Sequence, residues 1–422
     1  MELGIGLGIV ILLINALALF QNTKQGITWF VILGIVCPNV HVSGIILSYQ
    51  LFAFAPLALI YFIKRPYISC SAEFVILYSF LVLLIISSII SSKLNNVPVA
   101  WISILGNVRF VVITMMLTFL MKHKKNAFEK ILLVAITINL LFAIIQISIP
   151  KSVYLFYDFY YKESMTPLQM AVENMKFNRS YGSFGTPVLL GVFSLISFSY
   201  FFSGLINKEK TRQRTVIYGF SASTICGILA LSKTFILGAP IVVIITVLVI
   251  IIANKGVIKL PKSNKIIYIT AGCTLFIGIA VIVLILNDLG WALKYYSKYL
   301  LNPFKALATR YEADEGILNL TMEVIKENIF IGVGETIIKG EFNGDSMYIQ
   351  LLHSTGIIGL IMVLVLFIII SLKTMQKNNF TGLIVLLSFM VTGIGANIFA
   401  SLFGALVIAF ASVSNNNRIK IT

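Results

Sequence analysis

The chain has 422 residues, of which 59% are apolar and only 11% charged. A soluble domain carries about a quarter of its residues as charges, so no water-soluble fold could hide this much apolar surface, and lipid is the expected solvent for most of it. The 32 basic and 16 acidic side chains give a net charge of +16, but the basic ones fall in short clusters between apolar runs. That pattern argues against a nucleic-acid surface and fits the Lys and Arg excess of cytoplasmic loops.

In chain order, Glu2 precedes the first apolar run, with no basic stretch before it and no small-residue cleavage site after it, so residues 3–20 read as a retained span. The basic clusters 64–65, 122–130, 208–214, 255–265, 373–377 and 418–420 are all satisfied in the cytoplasm by one threading. Its spans lie near 3–20, 26–37, 43–63, 72–92, 99–121, 131–149, 186–205, 215–231, 235–253, 267–286, 347–371, 381–395 and 398–412. The expected fold is an all-α, polytopic membrane bundle of about 12–13 transmembrane helices, each near the roughly 20 residues that cross a hydrocarbon core. Splitting 381–412 into two crossings keeps Arg418 and Lys420 inside. Cys37, Cys70, Cys226 and Cys273 show neither disulfide nor zinc spacing and read as structural.

This threading divides the chain into N-terminal spans (1–149), a first outer loop (150–185), central spans (186–286), a large helical outer loop (287–346) and C-terminal spans with a short tail (347–422). Twelve of the sixteen acidic residues lie in the two outer segments, which are longer than plain connections require. Residues 288–301 read as an interfacial helix and 313–329 as an amphipathic one, stopped by Gly332 and Gly334.

Several residues in these segments could carry chemistry. Arg179, with Gly182 and Gly185 following, offers a planar fork of donors for phosphate beside a backbone that can turn tightly; the alternative is a loop end whose arginine snorkels to headgroups. Lys233, after Ser232, is a point charge for phosphate or an interfacial anchor. Arg310 lies in the large loop, where such charge runs are usually solvated. Arg109 falls within the fifth apolar run, where an ionisable group is costly. Asp345 precedes the helix carrying Tyr348 and His353, as a cap or as a reactive carboxylate. His353 is about 12 Å further along the axis and belongs inside the bundle. There is no Walker loop, dinucleotide fingerprint, HExxH or Asp-x-Asp in the sequence, so no nucleotide or metal cofactor is expected and a glycosyl donor would be lipid-linked.

Taken together, Arg179-x-x-Gly182-x-x-Gly185-x-Pro187, Ser232-Lys233, Arg310, Gly332-Val-Gly334 and the segment from Asp345 to Gly356 resemble the motifs of the O-antigen ligase and O-antigen polymerase superfamily (Wzy and WaaL-like proteins). The resemblance spans roughly residues 175–360. Two departures from the family pattern bear on function: Lys233 stands where Arg is common, and Asp345 where ligases carry His-Asn, which favours the polymerase branch. The resemblance implies a metal-independent, inverting, GT-C-like transfer between undecaprenyl-pyrophosphate-linked glycans, on the periplasmic or extracellular side of a bacterial inner membrane. The expected partners are the lipid-linked oligosaccharide, membrane lipid and a chain-length regulator protein, with no nucleic acid. Arg179 and Arg310 would stabilise the pyrophosphate, and Asp345 would accept the proton. Lys233, Arg109, Tyr348, His353 and Gly182 would line the substrate site. A ligase-type transferase is the alternative within the family; a lipid-linked oligosaccharide flippase or secondary transporter is the alternative outside it.

Overall fold

The computed structural model describes residues 5–42, 45–65, 70–160, 179–206, 213–253, 319–337 and 346–413. Among them five helices are long and apolar enough to cross a membrane: α4 (Ala72–Asn95), α5 (Trp101–His123), α6 (Ala127–Ser148), α8 (Pro187–Ile206) and α12 (Met347–Gln376). Shorter helices pack between and around them: α1 (Ile5–Gln21), α2 (Thr23–Val36), α3 (Tyr49–Lys64), α9 (Gln213–Leu229), α10 (Lys233–Ala253), α13 (Phe380–Thr392) and α14 (Leu402–Ser412). Two small helices, α7 (Ser152–Tyr160) and α11 (Asn319–Glu327), lie in the two segments expected to form outer loops. The protein is a multi-pass helical membrane bundle, as its composition requires.

Burial follows lipid rather than water. Leu17, Ile63 and Ile102 are 61, 69 and 81% exposed, while the interior holds a continuous apolar core running from Leu19 to Ala411. Several buried hydroxyls within helices return to the carbonyl one turn back, as Thr114 does to Phe110 at 2.8 Å and Ser388 to Ile384 at 2.7 Å. In a medium without water every polar group needs such a partner.

One boundary differs from expectation. The span expected near 43–63 starts as a helix only at Tyr49, because Val40–Val42 and Ile45–Leu47 pair as antiparallel strands β1 and β2. Branched side chains favour that pleated form over the first helical turns. Of the amphipathic helix expected over 313–329, residues 319–329 are described, and Asn319–Glu327 of these are helical. As expected, the last apolar stretch forms two helices, α13 and α14, joined by residues 393–401. The expected span at 267–286 and the interfacial helix at 288–301 lie outside the described residues.

Consecutive antiparallel helices give the bundle two ends. The connections 95–101 and 393–401, with the segments 179–186 and 328–337, share one end. The opposite end carries 21–23, 64–65, 70–72, 123–127 and 376–380.

Candidate functional site

At the first of these ends two non-helical segments are built into the bundle. Gln146 of α6 accepts the backbone N–H groups of Tyr181 and Gly182 at 3.0 and 2.9 Å, and its amide donates to the Gly182 carbonyl at 3.0 Å. About two turns earlier on the same helix, Asn139 accepts both the N–H and the hydroxyl of Ser183, at 2.8 and 3.0 Å. Gly182 has φ +56, and a Cβ there would overlap the Asn139 side chain. The close approach that this glycine allows is therefore to α6.

The same segment delivers Arg179 to the turn between α9 and α10. Ser180 N–H donates to Leu229 O at 3.0 Å, and the Arg179 guanidinium donates from Nε to Ala230 O at 3.4 Å. That turn bends through Leu231, with φ +44, and continues into buried Ser232 and Lys233, the first residue of α10. Arg179 and Lys233, far apart in sequence, thus share one turn.

The second segment is spliced into a broken helix. Gly356 interrupts α12 with φ 63 and ψ −164, a region open essentially to glycine alone. In an unbroken helix the N–H groups of Ile357 and Ile358 would bond to His353 and Ser354. Instead they donate to Ile329 O and Phe330 O at 2.8 and 3.3 Å, while His353 O and Ser354 O accept from Val333 and Gly334 N–H, both at 2.8 Å. The break removes two helical bonds, and the segment satisfies all four of the backbone groups they leave. Its other side is fixed to α4 and to the α4–α5 connection: Ser87 Oγ donates to Ile331 O at 2.6 Å and Ser88 Oγ accepts Glu335 N–H at 2.8 Å. Ala100 N–H reaches Glu335 O at 2.7 Å and Ile337 N–H reaches Pro98 O at 3.1 Å.

This splice points Glu335 into a cavity of about 380 Å³ whose polar wall includes Ser103, Asn107, Gln350, Ser354 and Asn397. Phe80 and Phe399 form its apolar wall; their rings meet edge to face at 5.5 Å, seating the 393–401 connection. Asn107 Nδ2 donates to Glu335 Oε1 at 3.4 Å. Burial pushes the Glu335 carboxyl above the ordinary glutamate range, and the nearby His353 and the Asn107 amide offset this in part. Gln350 Oε1 is buried without a protein partner, leaving it able to accept from a guest.

Tyr348 donates to Met390 O at 2.8 Å, and Met347 N–H and Ser346 Oγ both donate to Gly393 O, at 2.8 and 3.2 Å. Tyr348 therefore ties α12 to α13. His353 is 2% exposed and lies at the splice, within the bundle as its position along the helix requires. Arg109 is half-buried on α5; two residues beyond Asn107, about 200° around the axis, it points away from that cavity. Among the described residues no carboxylate is paired with it. Asp345 and Arg310 lie outside the described residues. Sequence reasoning missed Glu335, Asn107, Gln350 and Asn397; the available signal was Glu335 directly after Gly332-Val-Gly334, together with isolated amides inside apolar runs.

No protein-family model matches the chain, and no curated protein matches it in sequence. The class that architecture and site define is a multi-pass α-helical membrane protein with a polar cavity at one end of the bundle.

Proposed function

We propose that this protein is a polysaccharide polymerase of the O-antigen or capsule type. It transfers a growing undecaprenyl-pyrophosphate-linked glycan onto a lipid-linked repeat unit at the outer face of a bacterial inner membrane. The observation that carries the reading is the splice of residues 328–337 into α12, which holds a carboxylate and several amides around a cavity, with Arg179 at the Lys233 turn on the same end. Amides, a carboxylate and aromatic faces suit a sugar, which offers many hydroxyls and apolar C–H patches. Arg179 and Lys233 suit the pyrophosphate.

In this mechanism an acceptor hydroxyl attacks the anomeric carbon of the donor glycan. Its C–O bond to pyrophosphate breaks, and the electron pair leaves on undecaprenyl pyrophosphate. Arg179 and Lys233, with Arg310 by the family resemblance, stabilise that developing charge. Glu335 is the described carboxylate best suited to accept the hydroxyl proton, a role that the resemblance gives to Asp345.

A transporter of lipid-linked glycan is the second reading. The break in α12 at Gly356 favours it, since discontinuous helices line many transport sites. One assay separates the two. Purified protein given lipid-pyrophosphate-linked repeat units alone should build longer lipid-linked chains without nucleotide or ion gradient, and Arg179→Ala should abolish this. Movement of substrate between leaflets at constant length would overturn the polymerase reading; a requirement for a separate acceptor would replace it with a ligase.

A further inference from the structure

Two cavities larger than the one beside Glu335 lie at the opposite end of the bundle, away from the proposed site. One, of about 760 Å³, opens among α3, α4, α5, α12 and α14. A second, of about 540 Å³, adjoins α1, α2 and α3, and the two meet at Arg65 and Phe119. Together they gather Lys24, Lys64, Arg65, Lys122, Lys373 and Lys377 around a single carboxylate, Glu73. Positive-inside topology asks only that basic residues lie on this side. It does not ask that they converge, or that they be held.

Several are held. The Arg65 guanidinium sits 5.3 Å above the Phe119 ring, and the His123 ring packs 4.4 Å from that ring with Nδ1 2.8 Å from Phe119 O. Lys64 lies 4.2 Å above Phe20, and Lys373 is fixed by its ion pair with Glu73. Outside both cavities but at the same end, the Lys124 ammonium, just past the end of α5, is pushed below its ordinary range by burial and then by the like charges of Lys130 and Lys24. Two buried oxygens on the cavity wall, Ser412 Oγ and Glu73 Oε2, make no hydrogen bond within 3.5 Å among the described residues, and Glu73, whose carboxylate also lies near Ser71 and its own N–H, is only 3% exposed.

We propose that this groove binds a phosphoryl group, supplied by an anionic phospholipid whose headgroup also carries a hydroxyl. The phosphate oxygens accept from Arg65, Lys122, Lys377 and the Ser412 hydroxyl. The headgroup hydroxyl donates to Glu73 Oε2, which a bare cation cluster would leave unsatisfied. The apolar walls formed by Phe74, Met115 and Val413 give the glycerol and upper acyl chain a surface that a free phosphate ion does not need. The site is distinct from the proposed transfer site and does not depend on that assignment.

Native mass spectrometry of the full chain in detergent tests this, with phosphatidylglycerol and phosphatidylcholine offered at equal concentration. The wild type should retain phosphatidylglycerol selectively. Lys122→Gln and Lys377→Gln, at exposed positions that leave the fold intact, should each weaken retention about fivefold. Lys130→Gln, equally basic but outside both cavities, should leave it unchanged. Equal retention of the two lipids, or an equal loss with Lys130→Gln, would overturn the site. Thermal stabilisation by inorganic phosphate without selective lipid retention would overturn the lipid as its source.

Discussion

Gly356→Ala tests the splice that builds the cavity. At φ 63 and ψ −164 an alanine would carry about 1–3 kcal/mol of backbone strain. Its methyl would also overlap the Phe330 carbonyl and Ile331 N, so relief requires the 328–337 segment to withdraw. Withdrawal breaks the four backbone bonds that join this segment to 353–358, each worth about 1 kcal/mol net. The perturbation is therefore of the same size as the attachment, and the segment should open locally while the bundle persists. Thr336, 8% exposed, reports on this: as Thr336→Cys in a cysteine-free background it should be alkylated slowly by maleimide, and at least about tenfold faster when Gly356→Ala is added, since about 1.4 kcal/mol of local opening is a factor of ten. Far-ultraviolet circular dichroism should stay helical. An unchanged alkylation rate in a folded protein would refute the claim that Gly356 holds the segment in place.

Gln146→Ala strips the 179–186 segment of one acceptor for two N–H groups and one donor to a carbonyl. Buried unsatisfied groups cost about 1–3 kcal/mol each, so a clear fall in thermal midpoint is expected, whereas Gln146→Glu, which keeps only the acceptor, should fall less. Because burial raises the Glu335 carboxyl, the folded state holds that proton more tightly than the unfolded chain. Its contribution to stability is complete below the ordinary glutamate value of about 4.3, declines as pH rises toward the raised value and is flat beyond it. Melting curves of wild type and Glu335→Gln should therefore diverge across that window; parallel curves would remove the buried carboxyl from the argument.

The bundle was legible because lipid imposes one rule on every span. A run such as Ala72–Asn95 has to be helical to satisfy its own backbone, whatever packs against it. The site was less legible because its bonds join residues hundreds of positions apart. Gly332 and Gly334 read as a stop signal for the preceding helix; they also let the backbone approach His353, Ser354 and Ser88. At Gly182 the position a Cβ would take is filled by Asn139, a contact that the spacing of the glycines does not announce. Nothing local marks Ile329 and Phe330 as acceptors for a helix that begins some twenty residues later. Asn107 is one amide in an apolar run until α5 is placed beside Glu335.

The two inserted segments are secured by the same physical device, and that similarity bears on what the site can do. In each, amides or hydroxyls from one helix take up the backbone groups of a non-helical stretch: Asn139 and Gln146 from α6 in one case, Ser87 and Ser88 from α4 in the other. A stretch that contributed only a connection could have left its backbone groups in water. These are instead satisfied by protein, so each segment presents its charged side chain from a fixed backbone, Arg179 on one and Glu335 on the other. A cation and a carboxylate so held lose little orientation when charge develops on a leaving group and a proton departs from a hydroxyl. The α9–α10 turn beside Arg179 and the α13–α14 connection are also in register at this end, where Thr234 approaches Gly395 while Gly393 accepts Met347 N–H. Protein structure is thus continuous from Arg179 to the wall of the Glu335 cavity, through the ends of α10, α13 and α12. Under the proposed polymerase reading, the Arg179 position would face the pyrophosphate and the Glu335 position the acceptor hydroxyl, each from a backbone that other helices hold.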